Sequence, residues 1–266
     1  RMMSHTHFVG AGINGLGNFG VMPTKHKKAK KHRGGGLSFM SNKSAKEYEA
    51  WRILDPWSSK FQKENEKASP GHYSVLLDEH NIQADLIATS GFTAMHKYSF
   101  LEDADKDHEK SLVFDVCHSS HTERELPLSK SVCEDSLLII NEDGTFDAYV
   151  QNNGVSDMWL HGEIEVVGDE NQKLEWLVCS NGDDKNKVKC NDGFSAGSTG
   201  TQSTNGILLS QITFNNNNIK EIKIHVGLSL ISSDMAKQNL HTSDVYKYQK
   251  SFHEFEIYEL SKKWNP

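Results

Sequence analysis

A chain of 266 residues with 36% hydrophobic side chains and a mean hydropathy of −0.60 is long enough for one large β domain or two small domains. Its formal net charge of −7 supplies no general attraction to nucleic acid or an anionic membrane, so either partner would need a local basic patch. No apolar run approaches the ~18 residues that span a bilayer. The first residue is Arg1 and no charged-then-apolar signal segment follows it, so the sequence reads as a fragment or processed form. Cys117, Cys133, Cys179 and Cys190 lie far apart without C-x-x-C spacing, which argues against a cysteine zinc site. Disulfides and buried thiols fit them equally.

Ser4 to Thr24 carries Gly10, Gly12, Gly15, Gly17 and Gly20, a density that suits a loop at the mouth of a site. The pattern Gly10-x-Gly12-x-x-Gly15 is not a dinucleotide loop, because no buried parallel strand precedes it and no amphipathic helix follows. Lys25 to Gly36, KHKKAKKHRGGG, is the one basic run. Lacking interleaved aromatic residues for base stacking, it reads as a solvated, mobile loop rather than a polyanion site. Ser44 to Leu54 fits a short helix before Pro56.

Phe61 to Phe100 holds three strand signals in succession. Pro70-Gly71 is a turn, Tyr73, Val75 and Leu77 share one parity, His80-Asn81 turns the chain, and runs over Ile82 to Thr89 and Met95 to Phe100 follow. Connections this short require antiparallel neighbours. Asp103 to Lys110 reads as a charged loop and Ser111 to Cys117 as a strand. Leu137 to Ile140 and Thr145 to Val150 flank Asp143-Gly144, the clearest hairpin. Met158 to Val167 alternates as a half-exposed strand, and Leu174 to Cys179 is apolar enough for burial on both faces. Asn181 to Gly206 is polar throughout and reads as a long mobile loop. Ile207 to Phe214 resumes strand character. Ile222, Ile224, Val226, Leu228 and Leu230 alternate strictly, and Ser232-Ser233-Asp234 caps a helix, with Tyr246 to Trp264 continuing at helical spacing. At least ten strands with helix only at the end predict an all-β fold, a large antiparallel β sandwich.

Three blocks in this order resemble the amino-terminal domain of glycoside hydrolase family 92, the calcium-dependent α-mannosidases: Ser4-His5-Thr6-His7, Gly10, Gly12 and Met22-Pro23-Thr24; Glu64, Glu66, Ala68, Pro70-Gly71, Tyr73, Val75, Ala88-Thr89, His96, Tyr98 and Phe100; and Val226-Gly227, Ser229, Ser232, Ala236 and Asn239-Leu240. The resemblance implies a galactose-mutarotase-like supersandwich over residues 1–231 and a helical linker over 232–266 that leads towards an (α/α)6 barrel. Glycoside hydrolysis needs two carboxyl groups flanking the scissile bond, and no spacing singles out such a pair. By the resemblance they lie mainly in the barrel, as do the calcium ligands, so Ca2+ belongs to the complete enzyme and none is expected to be bound by this chain.

The same resemblance makes Ser4 to Thr24 one wall of a sugar pocket, with His5, His7, Gly10, Gly12 and Asn18 as substrate-binding candidates. His5 and His7 alternate as metal ligands would, but no third ligand accompanies them. The family has acidic residues where this chain has Gly15 and Asn18 and a serine where it has Val9, departures that mark a divergent member. The implied partners are mannosides and a helical catalytic domain, with no nucleic acid and no membrane span; the family suggests a secreted or periplasmic location. The alternative is a stand-alone carbohydrate-binding module with Trp57, Trp159 or Trp176 as stacking platforms, although core packing is the better explanation of each.

Overall fold

A computed structural model describes residues 19–27, 59–101, 108–116, 133–152, 157–168, 174–181, 188–195, 200–204, 208–214 and 218–242. Among these, fourteen strands form two antiparallel sheets. The strands are β1 (Gly20–Lys27), β2 (Glu66–Ser69), β3 (His72–Leu77), β4 (Ile82–Ala88), β5 (Thr93–Phe100), β6 (His108–Asp115) and β7 (Cys133–Ile140). They continue as β8 (Phe146–Asn152), β9 (Asp157–Val167), β10 (Leu174–Asn181), β11 (Val188–Ser195), β12 (Gly200–Thr204), β13 (Leu208–Phe214) and β14 (Glu221–Ser229). Helix α1 spans Ser233–Thr242, and no helix among the described residues is long and apolar enough to cross a membrane.

The smaller sheet runs β1-β6-β13-β10-β11 and the larger β12-β7-β8-β9-β14-β5-β4-β3-β2. One apolar cluster joins them, because period-two alternation sends one parity of each strand inwards. At its centre the Phe146 ring of the larger sheet meets Phe114 and Trp176 of the smaller, with edge-on ring centroids at 5.2 and 5.5 Å. Phe146 also fills the space over its cross-strand partner Gly162, where a β-carbon would overlap the ring. The all-β antiparallel sandwich expected from the sequence is the fold observed.

The turns follow the predicted chemistry. Gly71 at φ 78°, Asn81 at φ 49° and Gly144 at φ 85° occupy the left-handed region at the β2–β3, β3–β4 and β7–β8 connections. Strand β13 is buried along its length between β6 and β10. The Ile222, Ile224 and Val226 side chains of β14 enter the core as expected, but Leu230 lies past the strand and is 51% exposed.

Three expectations are corrected. Asn181 to Gly206 contains β11 and β12 rather than one long loop. Both are edge strands, which need backbone pairing on one side only and so tolerate polar sequence; a disulfide from Cys179 to Cys190 fastens β11 to β10. Gly20–Lys27, divided between two expected loops, is strand β1, whose Phe19, Val21 and Met22 neighbourhood is buried against β6. Lys25 reaches the carbonyls of Asn81 and Leu101 at 3.4 and 3.2 Å. Strand β6 begins at His108, inside the expected charged loop, because β1 and β13 pair with both of its sides. The rest of Lys25 to Gly36, the expected helix over Ser44 to Leu54 and the helical stretch from Tyr246 lie outside the described residues.

Candidate functional site

The outward parity of β8, β9 and β14 carries polar side chains, and α1 lies across it. Asp147 of β8 stands opposite His161 of β9, and Glu163 follows His161 on the same face. His241, in the last turn of α1, comes down beside them. The helix is seated by several local devices. The Ser229 hydroxyl accepts from the Ile231 and Ser232 amides, the Ser232 hydroxyl caps the helix by accepting from the Met235 amide at 3.2 Å, and Asn239 donates to the Leu228 carbonyl at 2.8 Å. Ala236 and Leu240 are buried against the strand at Gly227.

The resulting cluster has a defined order. The His161 Nδ1–H donates to Asp147 Oδ1 at 2.8 Å, and the other Asp147 oxygen accepts from Asn141 at 2.9 Å. The His241 Nε2–H donates to Glu163 Oε1 at 2.7 Å, while His161 Nε2 stands 3.6 Å from that oxygen, beyond hydrogen-bond range but within an ion pair. His161 is 1% exposed and His241 is at the surface. Burial pulls the His161 imidazole down, yet the Asp147 and Glu163 carboxylates overcome it and raise its pKa to about 9. Glu163 is held at about 2 by His161, against its own burial and with His241 adding to the effect. Beside the cluster, Asn141, Glu142, Asp143, Asp147, Ser233, Asp234 and Lys237 line a cleft of about 360 Å³. Along the same face Glu165 accepts from His225 at 3.4 Å and pairs with Lys223 at 2.9 Å, and its pKa falls to about 2, chiefly through His225.

Glycoside hydrolysis requires one carboxyl group pushed upwards so that it holds a proton for the leaving oxygen. Among the described residues, the carboxyl groups whose surroundings displace them, Asp143, Asp147, Glu163 and Glu165, are all displaced downwards. They are suited to accepting hydrogen bonds or holding cations. Ca2+ takes six to eight oxygen ligands. Among the described residues the one trio of His, Cys, Asp or Glu with ligand atoms within 4.8 Å of one another is His161, Glu163 and His241, whose two nitrogens do not fit it.

The sequence candidates His5, His7, Gly10, Gly12 and Asn18 lie outside the described residues, as does Trp57. Trp176 is a core side chain at 2% exposure, which removes it as a stacking platform. Trp159 is half-buried against Tyr149, its cross-strand neighbour, at a ring distance of 4.7 Å. Residues 161, 163 and 241 escaped sequence reasoning, because the helix brings its histidine from far along the chain; the local signal was His161-x-Glu163 on one face of a strand.

The family model for the glycosyl hydrolase family 92 N-terminal domain matches residues 1–229. This chain belongs to that family. As a family 92 amino-terminal domain it shares its fold with the α-mannosidase BT3965 of Bacteroides thetaiotaomicron in complex with mannoimidazole, at a TM-score of 0.61 and 19% identity over 95% of this chain. A second similar structure is the inverting mannosidase BT2199 of the same organism, at a TM-score of 0.52 and 17% identity over 87% of this chain. The family 92 domain described here spans 28% of the length of the first and 24% of the second. No curated protein is similar enough in sequence to match.

Proposed function

We propose that the chain is the substrate-pocket-wall domain of an α-mannosidase-like glycoside hydrolase, which acts on mannose-containing glycans only together with a helical catalytic domain. The observation that carries this reading is the family match over residues 1–229, combined with the short share of the similar mannosidases that the chain spans. The downward displacement of Asp143, Asp147, Glu163 and Glu165 supports placing the general acid elsewhere.

On this reading residues 1–231 are the sandwich domain and 232–266 the linker, Ca2+ serves the complete enzyme, and His5, His7, Gly10, Gly12 and Asn18 face the sugar. The Cys179–Cys190 disulfide supports an exported protein, since such bonds persist in oxidising compartments. The test compares the isolated chain with a longer protein that carries the helical domain. The isolated chain should show no turnover of α-mannosides with or without Ca2+, and the longer protein should turn them over, with KM raised by His5→Ala and His7→Ala. Turnover by the isolated chain that survives repurification would overturn the proposal.

A further inference from the structure

His161 presents an unusual combination. Its side chain is 1% exposed, its Nδ1–H is committed to Asp147 at 2.8 Å, and its Nε2 is buried without a hydrogen-bond partner. The buried Nε2 faces the Glu163 carboxylate only at ion-pair distance, 3.6 Å, and lies within 4.8 Å of the His241 ligand nitrogen, so its hydrogen-bonding capacity is left unused. A histidine that donates one ring N–H to a carboxylate has its tautomer and ring orientation fixed, with the other nitrogen offered as a ligand; this is the usual support of a metal-bound imidazole. Asp147 is in turn held by Asn141 at 2.9 Å.

The distances agree with that reading. Ligand atoms about 2.0–2.2 Å from a tetrahedral cation stand roughly 3.4 Å apart. Glu163 Oε1 lies 2.7 Å from His241 Nε2 and 3.6 Å from His161 Nε2, values that bracket that separation, and all three ligand atoms fall within 4.8 Å. Two imidazoles and one carboxylate select a borderline cation such as Zn2+ over Ca2+ or Mg2+, which prefer oxygen.

We propose that His161, Glu163 and His241 form a binding site for a transition-metal dication of the zinc class, oriented by Asp147, which clips α1 to the larger sheet. Water would complete the four-coordinate shell. Binding replaces the proton shared between Glu163 and His241, and any proton on His161 Nε2, so protons are released as the cation enters. The site concerns the seating of the helix and is independent of the reading of the chain as part of a mannosidase.

The intact chain, stripped with a chelator, should bind one equivalent of Zn2+ by calorimetry and unfold at a higher temperature when loaded, whereas Ca2+ at the same concentration should have no effect. Co2+ should give the visible absorption of a four-coordinate site. His241→Ala and Glu163→Gln should each weaken Zn2+ at least 100-fold, and Asp147→Asn about 10- to 100-fold. Because the chain has 14 histidines, the variants assign the site: Zn2+ binding undiminished in both His241→Ala and Glu163→Gln overturns the proposal, as does the absence of binding to the wild-type chain. Should a variant fail to fold, the imidazole 15N resonances of the wild-type chain decide. Two Nε2 signals must shift on titration, and shifts confined to other histidines overturn it.

Discussion

Gly227 lies directly beneath the carbonyl of Ala236, so that a β-carbon on residue 227 would collide with that oxygen and stand 2.9 Å from Leu240 Cβ. The missing side chain is what lets α1 rest on β14. Filling that contact forces the helix outwards, at a typical cost of 1–3 kcal/mol for overpacking. Gly227→Ala should therefore lower the free energy of urea unfolding by about 1–3 kcal/mol. Leu240→Ala, which empties the same contact from the other side, should lower it by about 2–5 kcal/mol. A Gly227→Ala protein as stable as wild type would mean that the helix is not seated there.

Phe146 bridges the sheets by touching Phe114 and Trp176. Phe146→Ala leaves a void at the centre of the core and uncovers Gly162. The expected loss is about 3–5 kcal/mol, measured as a shift of the denaturation midpoint with near-ultraviolet dichroism following Trp176.

The disulfide between Cys179 and Cys190 closes a loop with a sequence separation of 11 residues. Loop-closure entropy for that length gives about 3 kcal/mol. The Cys179→Ala/Cys190→Ala protein should lose about that amount, and its hydrogen exchange should rise along Val188–Ser195 before β13 is affected. Equal protection of β11 in both proteins would show that its backbone pairing suffices.

Tyr73 donates its hydroxyl to Glu66 at 2.8 Å, and burial, that bond and the Glu66 charge raise its pKa to about 12. The folded value lies above the unfolded value near 10. The favourable contribution is thus fully present below pH 10 and is lost as pH rises through 12. Stability measured from pH 9 to 12 should fall more steeply for wild type than for Tyr73→Phe, and parallel curves would contradict the pairing.

Many of the described residues that resemble the family specify packing. Val75, Tyr98, Phe100 and Val226 are core side chains, His96 bonds the Tyr98 hydroxyl at 2.7 Å, and Ser229, Ser232, Ala236, Asn239 and Leu240 seat the helix. Such residues obey local rules of alternation, turns and capping, so the antiparallel sandwich could be read from the chain, whereas the order of strands within its two sheets could not. Strands β11 and β12 could not, because a sheet edge asks for backbone partners rather than apolar side chains, and β1 was hidden between a glycine-rich and a lysine-rich stretch although Val21 and Met22 enter the core. Nor could the pairing of His161 with His241, which depends on where Gly227 lets a helix land. The sugar-facing candidates from His5 to Asn18 were read from resemblance alone and lie outside the described residues.

Among the described residues the two sheets end on four edge strands, and these bear on how the molecules behave towards one another. An open edge offers unpaired amides and carbonyls to any neighbouring chain. Strand β1 carries Pro23, which has no amide to offer; β2 reads EKAS, with two charges in four residues; β11 and β12 read VKCNDGFS and GTQST. None of these edges is a long apolar ribbon. The polarity that makes β11 and β12 hard to recognise as strands is the same property that discourages sheets from different molecules from joining end to end, so the sandwich can remain discrete at concentrations where an apolar edge would seed fibres.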